Sequence, residues 1–216
     1  MSEIRVPAAG VLLDGDLTVP AEALGVVLFA HGSGSSRFSP RNRRVAAALQ
    51  DLGIGTLLID LLTRDEEAED ERTAELRFDI GLLARRLSGI VEWLAARPEA
   101  PPGSIGVFGA STGAAAAAIA AAAHPAIVGA VVSRGGRIDL SGPAVLERLR
   151  APTLLIVGAR DEPVLRLNEA ALGRLAGVRA LAIVPGASHL FEEPGTLDEV
   201  VRLAGMWFGR YLGAGD

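Results

Sequence analysis

Six continuous apolar runs, separated by longer segments of helical periodicity, account for most of this chain. The runs show no alternation with polar residues, so they predict strands covered on both faces. They occupy residues 25–30, 55–59, 105–108, 127–132, 153–157 and 179–184. Helical periodicity is found in residues 40–52, 80–96, 112–123, 143–149, 163–175 and 197–212. This alternation predicts an α/β fold, in which a mainly parallel sheet has helices on both faces.

The organisation along the chain is simple. The sequence has 216 residues, no repeat of solenoid length and no linker rich in Pro, Gly or Ser, so we expect residues 1–216 to form one domain. Before the first long run, an Asp14-Gly15 pair stands between strand-like residues 11–13 and 17–19. This pair predicts an antiparallel hairpin that turns at Asp14-Gly15.

Composition excludes several kinds of chemistry. The sequence contains no Cys, which rules out disulfides, a thiolate nucleophile and Cys-ligated metals. It also has no Lys, and its net charge is −5, which argues against Schiff-base chemistry and a nucleic-acid partner. We expect no cofactor, no metal and no membrane partner. Residues 1–7 do not resemble a signal peptide, so we expect a cytoplasmic protein.

Candidate functional residues should follow the strands, because parallel sheets bind ligands at the carboxyl ends of their strands. Ser111 follows the run that ends at residue 108. It is the serine of Gly109-Ala110-Ser111-Thr112-Gly113, which matches the G-x-S-x-G pattern of a strand–turn–helix nucleophile. The alternative is that Ser111 only caps the helix that follows, as serine often does.

Two later residues have the types and the chain order that a serine nucleophile requires. His189 follows the last apolar run and could act as general base, since an imidazole titrates near pH ~6.5. Asp161 follows the preceding run and would accept the Nδ1 proton of His189. Asp161 could instead be a solvated loop carboxylate or a helix cap, and Glu162 and Asp139 are the other candidate acids.

The first long run is followed by a loop rich in glycine and serine, which begins at His31. The backbone amide of Ser33 could pair with that of Thr112 to form an oxyanion hole. We expect His31 to buttress this loop rather than to exchange protons. Gly34 and Arg37 are candidate substrate-binding residues, because an arginine beside the loop could meet an acidic substrate group. For most of the arginines at positions 37, 41, 43 and 44, an exposed first helical turn is the simpler interpretation.

These motifs together resemble the α/β-hydrolase superfamily and, within it, the dienelactone hydrolase group. The resemblance rests on residues 28–37, 109–113, 158–161 and 186–189 and extends over nearly the whole chain. It implies a catalytic triad of Ser111, Asp161 and His189, with an oxyanion hole from Ser33 and Thr112. Dienelactone hydrolases proper have a cysteine where Ser111 stands. This departure favours a general carboxylic ester hydrolase that works through an acyl-enzyme.

The spacing of the elements leaves no room for a large lid domain, so we expect an open site for short or soluble acyl groups, lactones included. Residues 63–78 could cover the site in part, and the acidic residues among 65–71 predict a solvated loop. Alternative functions are acyl transfer, amide cleavage or perhydrolysis by the same triad, and a non-catalytic binding protein of the same fold. The sequence leaves a homo-oligomer open.

Overall fold

A computed structural model describes residues 2–98, 100 and 103–212 of the chain. Its centre is an eight-stranded sheet in the order β1-β2-β4-β3-β5-β6-β7-β8. The strands are β1 (Ser2–Ala8), β2 (Val11–Thr18), β3 (Val26–Ala30), β4 (Gly55–Ile59), β5 (Ile105–Ala110), β6 (Val128–Arg134), β7 (Thr153–Gly158) and β8 (Arg179–Val184). The strands from β3 onward are parallel, whereas β2 pairs antiparallel with both β1 and β4.

Helices cover both faces of the sheet, as the sequence predicts. They are α1 (Pro40–Asp51), α2 (Arg64–Thr73), α3 (Ile80–Ala95), α4 (Gly113–Ala123), α5 (Pro143–Leu146), α6 (Glu162–Leu172) and α7 (Thr196–Tyr211). The core on one face includes side chains from α1 and α7. The core on the other includes side chains from α3, α4 and α6. The arrangement is the α/β-hydrolase fold.

The predicted hairpin exists, but the prediction of its turn was wrong. The chain turns at Ala9 and Gly10, whose φ values of 48° and 82° are typical of a two-residue hairpin turn. Asp14-Gly15 lies inside β2, where Asp14 pairs with Arg5 of β1 and Gly15 with Ile59 of β4. Arginines bind the Asp14 and Asp16 carboxylates. These tertiary contacts outweigh the local preference of Asp-Gly for a turn.

The acidic residues 65–71 are helical, which corrects the predicted loop. They lie in α2, where Thr63 and Glu66 form a capping box at the amino end. Acidic residues in the first turn also favour the helix, because its amino end carries partial positive charge. Near the other end, Asp70 is buried and forms an ion pair with Arg77 at 2.5 Å. Capping and this ion pair therefore give the segment a fixed structure.

Strand β8 also differs from expectation, because it is not covered on both faces. It lies at the edge of the sheet and pairs only with β7, and most of its residues are partly or fully exposed. No helix in the described ranges is long and apolar enough to cross a membrane.

Helix α4 packs so closely on the sheet that one position tolerates no side chain. A Cβ at Gly113 would collide with the carbonyl oxygens of Ala30 and His31. We predict that Gly113→Ala lowers the free energy of unfolding by about 1–3 kcal/mol, as overpacking against rigid backbone does. Gly209→Ala in the exposed part of α7 is the control, because a Cβ there meets nothing within 4 Å. It should raise stability by up to about 1 kcal/mol. Urea unfolding of the two variants measures both effects, and equal effects would contradict the prediction.

Candidate active site

Ser111 lies at the tip of a tight turn between β5 and α4. Its φ of 50° is in the left-handed region, which a serine rarely adopts unless its surroundings impose it. The Ser111 amide donates to the carbonyl of Arg134 (3.4 Å), and its own carbonyl accepts from the amide of Arg137 (2.9 Å). Thr112, not Ser111, occupies the cap position of α4. The helix-cap interpretation of Ser111 is therefore wrong.

His189 and Asp161 meet at the same edge of the sheet. The His189 Nδ1 atom and the Asp161 Oδ2 atom are 2.6 Å apart, and the Asp161 side chain is largely buried. The loops that carry them are joined, since the Arg160 amide donates to the carbonyl of Ala187. A carboxylate at Nδ1 fixes the tautomer that carries its hydrogen there, which leaves Nε2 as the acceptor.

The two other candidate acids have different partners. Asp139 binds the guanidinium of Arg137 at 2.9 Å, and Glu162 pairs across one turn of α6 with Arg166. Of the three carboxylates proposed from the sequence, Asp161 is the one that contacts His189.

One short segment links Ser111 to His189. Arg134 and Arg137 hold the backbone of Ser111, and Gly135 stands between them in the chain. A Cβ on Gly135 would lie 3.5 Å from the His189 Nδ1 atom and 3.1 Å from its carbonyl oxygen. The His189 ring therefore adjoins the segment that holds Ser111.

The loop after β3 reaches the same turn. The Ser33 amide donates to the Thr112 Oγ1 atom at 3.0 Å, which joins the two residues expected to supply the oxyanion hole. The buried His31 accepts at Nε2 from the Leu61 amide at 3.1 Å, and its Nδ1 atom contacts the carbonyl of Gly32 at 3.0 Å. The expectation that His31 buttresses this loop is confirmed.

A cavity of about 350 Å³ opens beside the loop. Its wall includes residues 31–36, so Gly34 lines it as the substrate-binding hypothesis requires. Residues between 63 and 78 also line the cavity, among them Glu67, Asp70, Glu71 and Arg77. Burial, and then the charge of Asp60, raises the pKa of Glu67. The cavity wall has more carboxyl groups than cations, because Asp70 balances the charge of Arg77 and leaves Glu67 and Glu71.

Arg37 does not lie where its proposed role requires. It is 6 % exposed, and its guanidinium binds Asp60 at 2.6 Å and Glu3 at 3.0 Å. Its backbone amide also donates to Asp60. These carboxylates hold Arg37 at the β2–β4 side of the sheet, so it acts as a structural ion pair and not as a free anion-binding group. The exposed helical turn favoured for most of these arginines does not describe Arg37 either, because it is buried and precedes α1.

Two residues near the site were not singled out from the sequence. Glu193 accepts from the Ser188 amide at 3.0 Å and so shapes the His189 loop. Arg134 is the last residue of β6, and its guanidinium lies 5.9 Å from the ring centroid of Phe191. The sequence feature that could have indicated Arg134 is its position near the carboxyl end of a predicted strand, directly before Gly135-Gly136.

Comparison with known proteins identifies the family of this chain. The sequence model of the dienelactone hydrolase family matches residues 13–200. The chain belongs to the dienelactone hydrolase family. A dienelactone hydrolase from Anabaena variabilis is 56 % identical, with a TM-score of 0.94 and coverage of 98 % of this chain and 97 % of the other. Est1E from Butyrivibrio proteoclasticus is 14 % identical, with a TM-score of 0.81 and coverage of 97 % and 98 %, and shares the fold.

The curated relatives of this dienelactone hydrolase family member are longer. Proteins from two strains of Mycobacterium tuberculosis, each named putative phosphoribosyl transferase, are 54 % identical over 210 residues. The match covers 97 % of this chain but 46 % of each relative, so the chain spans about half their length.

In this member of the dienelactone hydrolase family, the buried His31 should make stability depend on pH. Burial lowers the pKa of His31 below its ordinary value of 6.5. The unfolded chain therefore takes up a proton at a higher pH than the folded protein, and stability falls as the pH drops below 6.5. We predict that the free energy of unfolding decreases between pH 7.5 and 5.5, and that His31→Gln removes much of this decrease.

His124→Gln is the matched control, because His124 caps the far end of α4 and leaves the His31 contacts intact. Urea titrations at the two pH values measure the effect. An equal decrease in wild type and His31→Gln would show that His31 is not responsible.

Proposed function

We propose that this chain is a serine hydrolase that cleaves carboxylic esters through an acyl-enzyme. The observation that carries the proposal is the strained turn at Ser111 after β5, together with the hydrogen-bonded pair of Asp161 and His189, which follow β7 and β8. Membership of the dienelactone hydrolase family supports hydrolytic chemistry. The cavity beside the loop after β3 would hold part of a small substrate.

In the first step, the Ser111 Oγ atom attacks the ester carbonyl while His189 Nε2 takes its proton. Asp161 stabilises the imidazolium that forms. The tetrahedral oxyanion accepts hydrogen bonds from the backbone amides of Ser33 and Thr112, each worth about 3–4 kcal/mol of barrier in comparable sites. The Ser33 amide donates to the Thr112 hydroxyl in the free protein, so it must turn or share this bond when the oxyanion forms.

The tetrahedral intermediate collapses when His189 returns its proton to the leaving alcohol, which departs and leaves the acyl group on Ser111. Water then attacks the acyl-enzyme with the same base, releases the acid and restores the serine. Each proton taken up by His189 is given back within the half-reaction. The cycle therefore regenerates the starting protein without an external reactant other than water.

Replacement of Ser111 tests the nucleophile. Wild type should react with a fluorophosphonate probe and hydrolyse short p-nitrophenyl esters, whereas Ser111→Ala should lose labelling and several orders of magnitude in kcat. Ser88→Ala, in the middle of α3, is the control and should keep both. Equal labelling of wild type and Ser111→Ala would refute the assignment.

Replacement of the acid tests the pair with His189. Asp161→Asn should lower kcat by about 10⁴, because an amide favours the wrong tautomer of the imidazole. Asp139→Asn and Glu162→Gln are matched controls, since these side chains bind Arg137 and Arg166 instead. Steady-state kinetics with one ester measures all three variants. A larger loss in either control would move the acid's role away from Asp161.

Acyl transfer, amide cleavage and perhydrolysis could use the same residues. Product analysis with competing alcohols, amines and peroxide separates them from hydrolysis, because a transferase gives mainly non-hydrolytic product. Phosphoribosyl transfer, the activity in the names of the mycobacterial relatives, is a substitution at a sugar carbon and leaves the Ser111 turn without a role. Hydrolysis gives a role to Ser111, His189 and Asp161 together.

A further inference from the structure

Asn168 is a fully buried polar side chain on a helix face that is otherwise apolar. It lies in α6 and has no exposed surface, and its neighbours one turn before and after, Val164 and Ala171, are buried as well. Asparagine is a weak helix former, and burying an amide costs stability unless hydrogen bonds compensate for it. The Asn168 Oδ1 atom has no hydrogen-bond partner among the described residues. The stability of α6 alone therefore does not explain an asparagine at this position.

The amide nitrogen of Asn168 has two partners. Nδ2 donates to the carbonyl of Val164 at 2.8 Å and to the carbonyl of Gly136 at 2.9 Å. Both partners only accept hydrogen bonds, so the group that faces them must be the NH₂ of the amide, and each bond uses one of its two hydrogens. The bond to Gly136 joins α6 to a part of the chain that lies 32 residues earlier.

Gly136 belongs to the segment of residues 134–137, which holds the Ser111 turn. The two ends of this segment form hydrogen bonds with the amide and the carbonyl of Ser111, and the Gly135 amide donates to the carbonyl of Ile156 at 2.8 Å. Two consecutive glycines leave a backbone free to adopt many conformations. The conformation of the segment therefore depends on these hydrogen bonds and on the one that Asn168 donates.

Helix α6 also carries the acid of the proposed triad. Asp161 is the cap residue at its amino end, and Asn168 lies about two turns further along the same helix. The Asp161 carbonyl accepts from the Leu165 amide at 2.9 Å, so Asp161 is part of the hydrogen-bonding pattern of the helix. Asn168 thus joins the helix that carries Asp161 to the segment that holds Ser111.

We propose that Asn168 is a positioning residue, which fixes Ser111 relative to the pair of His189 and Asp161 through its hydrogen bond to the Gly136 carbonyl. The proposal rests on the serine hydrolase function above. The Asn168 amide bonds to backbone carbonyls, so it acts through residues 134–137 and not on the substrate. Proton transfer from a serine to an imidazole requires hydrogen-bond geometry, and a displacement of about 1 Å can lower the rate by roughly 100-fold.

Asn168→Leu tests this role, because leucine has a similar size but no hydrogen-bond donor. We expect kcat for a short p-nitrophenyl ester to fall by about 10- to 100-fold. KM should not change, because the cavity beside the loop after β3 is not altered. The rate of labelling by a fluorophosphonate should fall by the same factor as kcat, since the probe reacts with the same nucleophile and base.

Thr153→Val is the matched control. Thr153 is also buried, and its hydroxyl donates to the carbonyl of Ala151 at 2.9 Å, but it lies at the amino end of β7, away from the Ser111 turn. This variant also removes a buried side-chain donor from a backbone carbonyl. It should lower the melting temperature and leave kcat and the labelling rate unchanged. The same result for Asn168→Leu would mean that its bond is only structural, which contradicts the proposal.

Asn168→Asp is a second variant, which tests the donated hydrogen itself. A carboxyl group has nearly the shape of the amide, but it can donate to the Gly136 carbonyl only when it is protonated. Burial favours the protonated form. We therefore expect kcat of Asn168→Asp, relative to wild type, to rise above that of Asn168→Leu as the pH is lowered from about 8 to about 6. A kcat as low as that of Asn168→Leu at every pH, in a variant shown to be folded by circular dichroism, contradicts the proposal.

Labelling and turnover together separate failure of this role from failure of the esterase function. If wild type hydrolyses no ester but is labelled faster than Asn168→Leu, the positioning role stands and ester hydrolysis fails. If wild type and Asn168→Leu have equal kcat and equal labelling rates, the positioning role fails and the esterase function stands. A wild type that is neither labelled nor active would overturn the serine hydrolase function and this role with it.

Discussion

The strained backbone at Ser111 is the constraint around which the site is built. A left-handed serine is unfavourable by itself, so neighbouring elements must impose the conformation. The end of β6 does so through hydrogen bonds to both the amide and the carbonyl of Ser111, and α4 adds to it by packing directly on the end of β3. The turn thus depends on three parallel strands being in register. A site of few residues therefore depends on strands that are far apart in the sequence.

The buried strands of the fold could be predicted from the sequence. The strands from β3 to β7 are buried along most of their length, and a continuous apolar run identifies such a strand directly. The predictions failed where tertiary charge pairs compete with local preference. Asp14-Gly15 is a turn signal in isolation, but arginines bind the carboxylates around it and keep the strand extended. The high charge of residues 65–71 predicted a loop. The capping box at Thr63 and Glu66, which favours a helix, was not included in that prediction.

Some residues of the candidate site could likewise be predicted from the sequence, and others could not. The positions of Ser111, Asp161 and His189 at the carboxyl ends of strands could be predicted, because each follows an apolar run of the sequence. The structure adds the 2.6 Å contact between His189 and Asp161. Arg37 was misplaced and Arg134 was missed for the same reason, since the role of an arginine depends on whether a carboxylate reaches it. That property is set by packing between distant segments, and no local pattern contains it.

Most arginines around the site are paired with carboxylates, and this pairing determines what each of them can do. The carboxylates of β2 and the residue after β4 neutralise Arg37 and Arg43, and Asp70 neutralises Arg77 at the cavity wall. These pairs stabilise the loops that frame the site while removing their positive charge from it. Arg134 is different, because its guanidinium lies against the ring of Phe191 and, among the described residues, no carboxylate forms an ion pair with it. The protein has more carboxylates than basic side chains, with a net charge of −5, so the isolation of Arg134 reflects its location at the end of β6 beside the loop that carries His189.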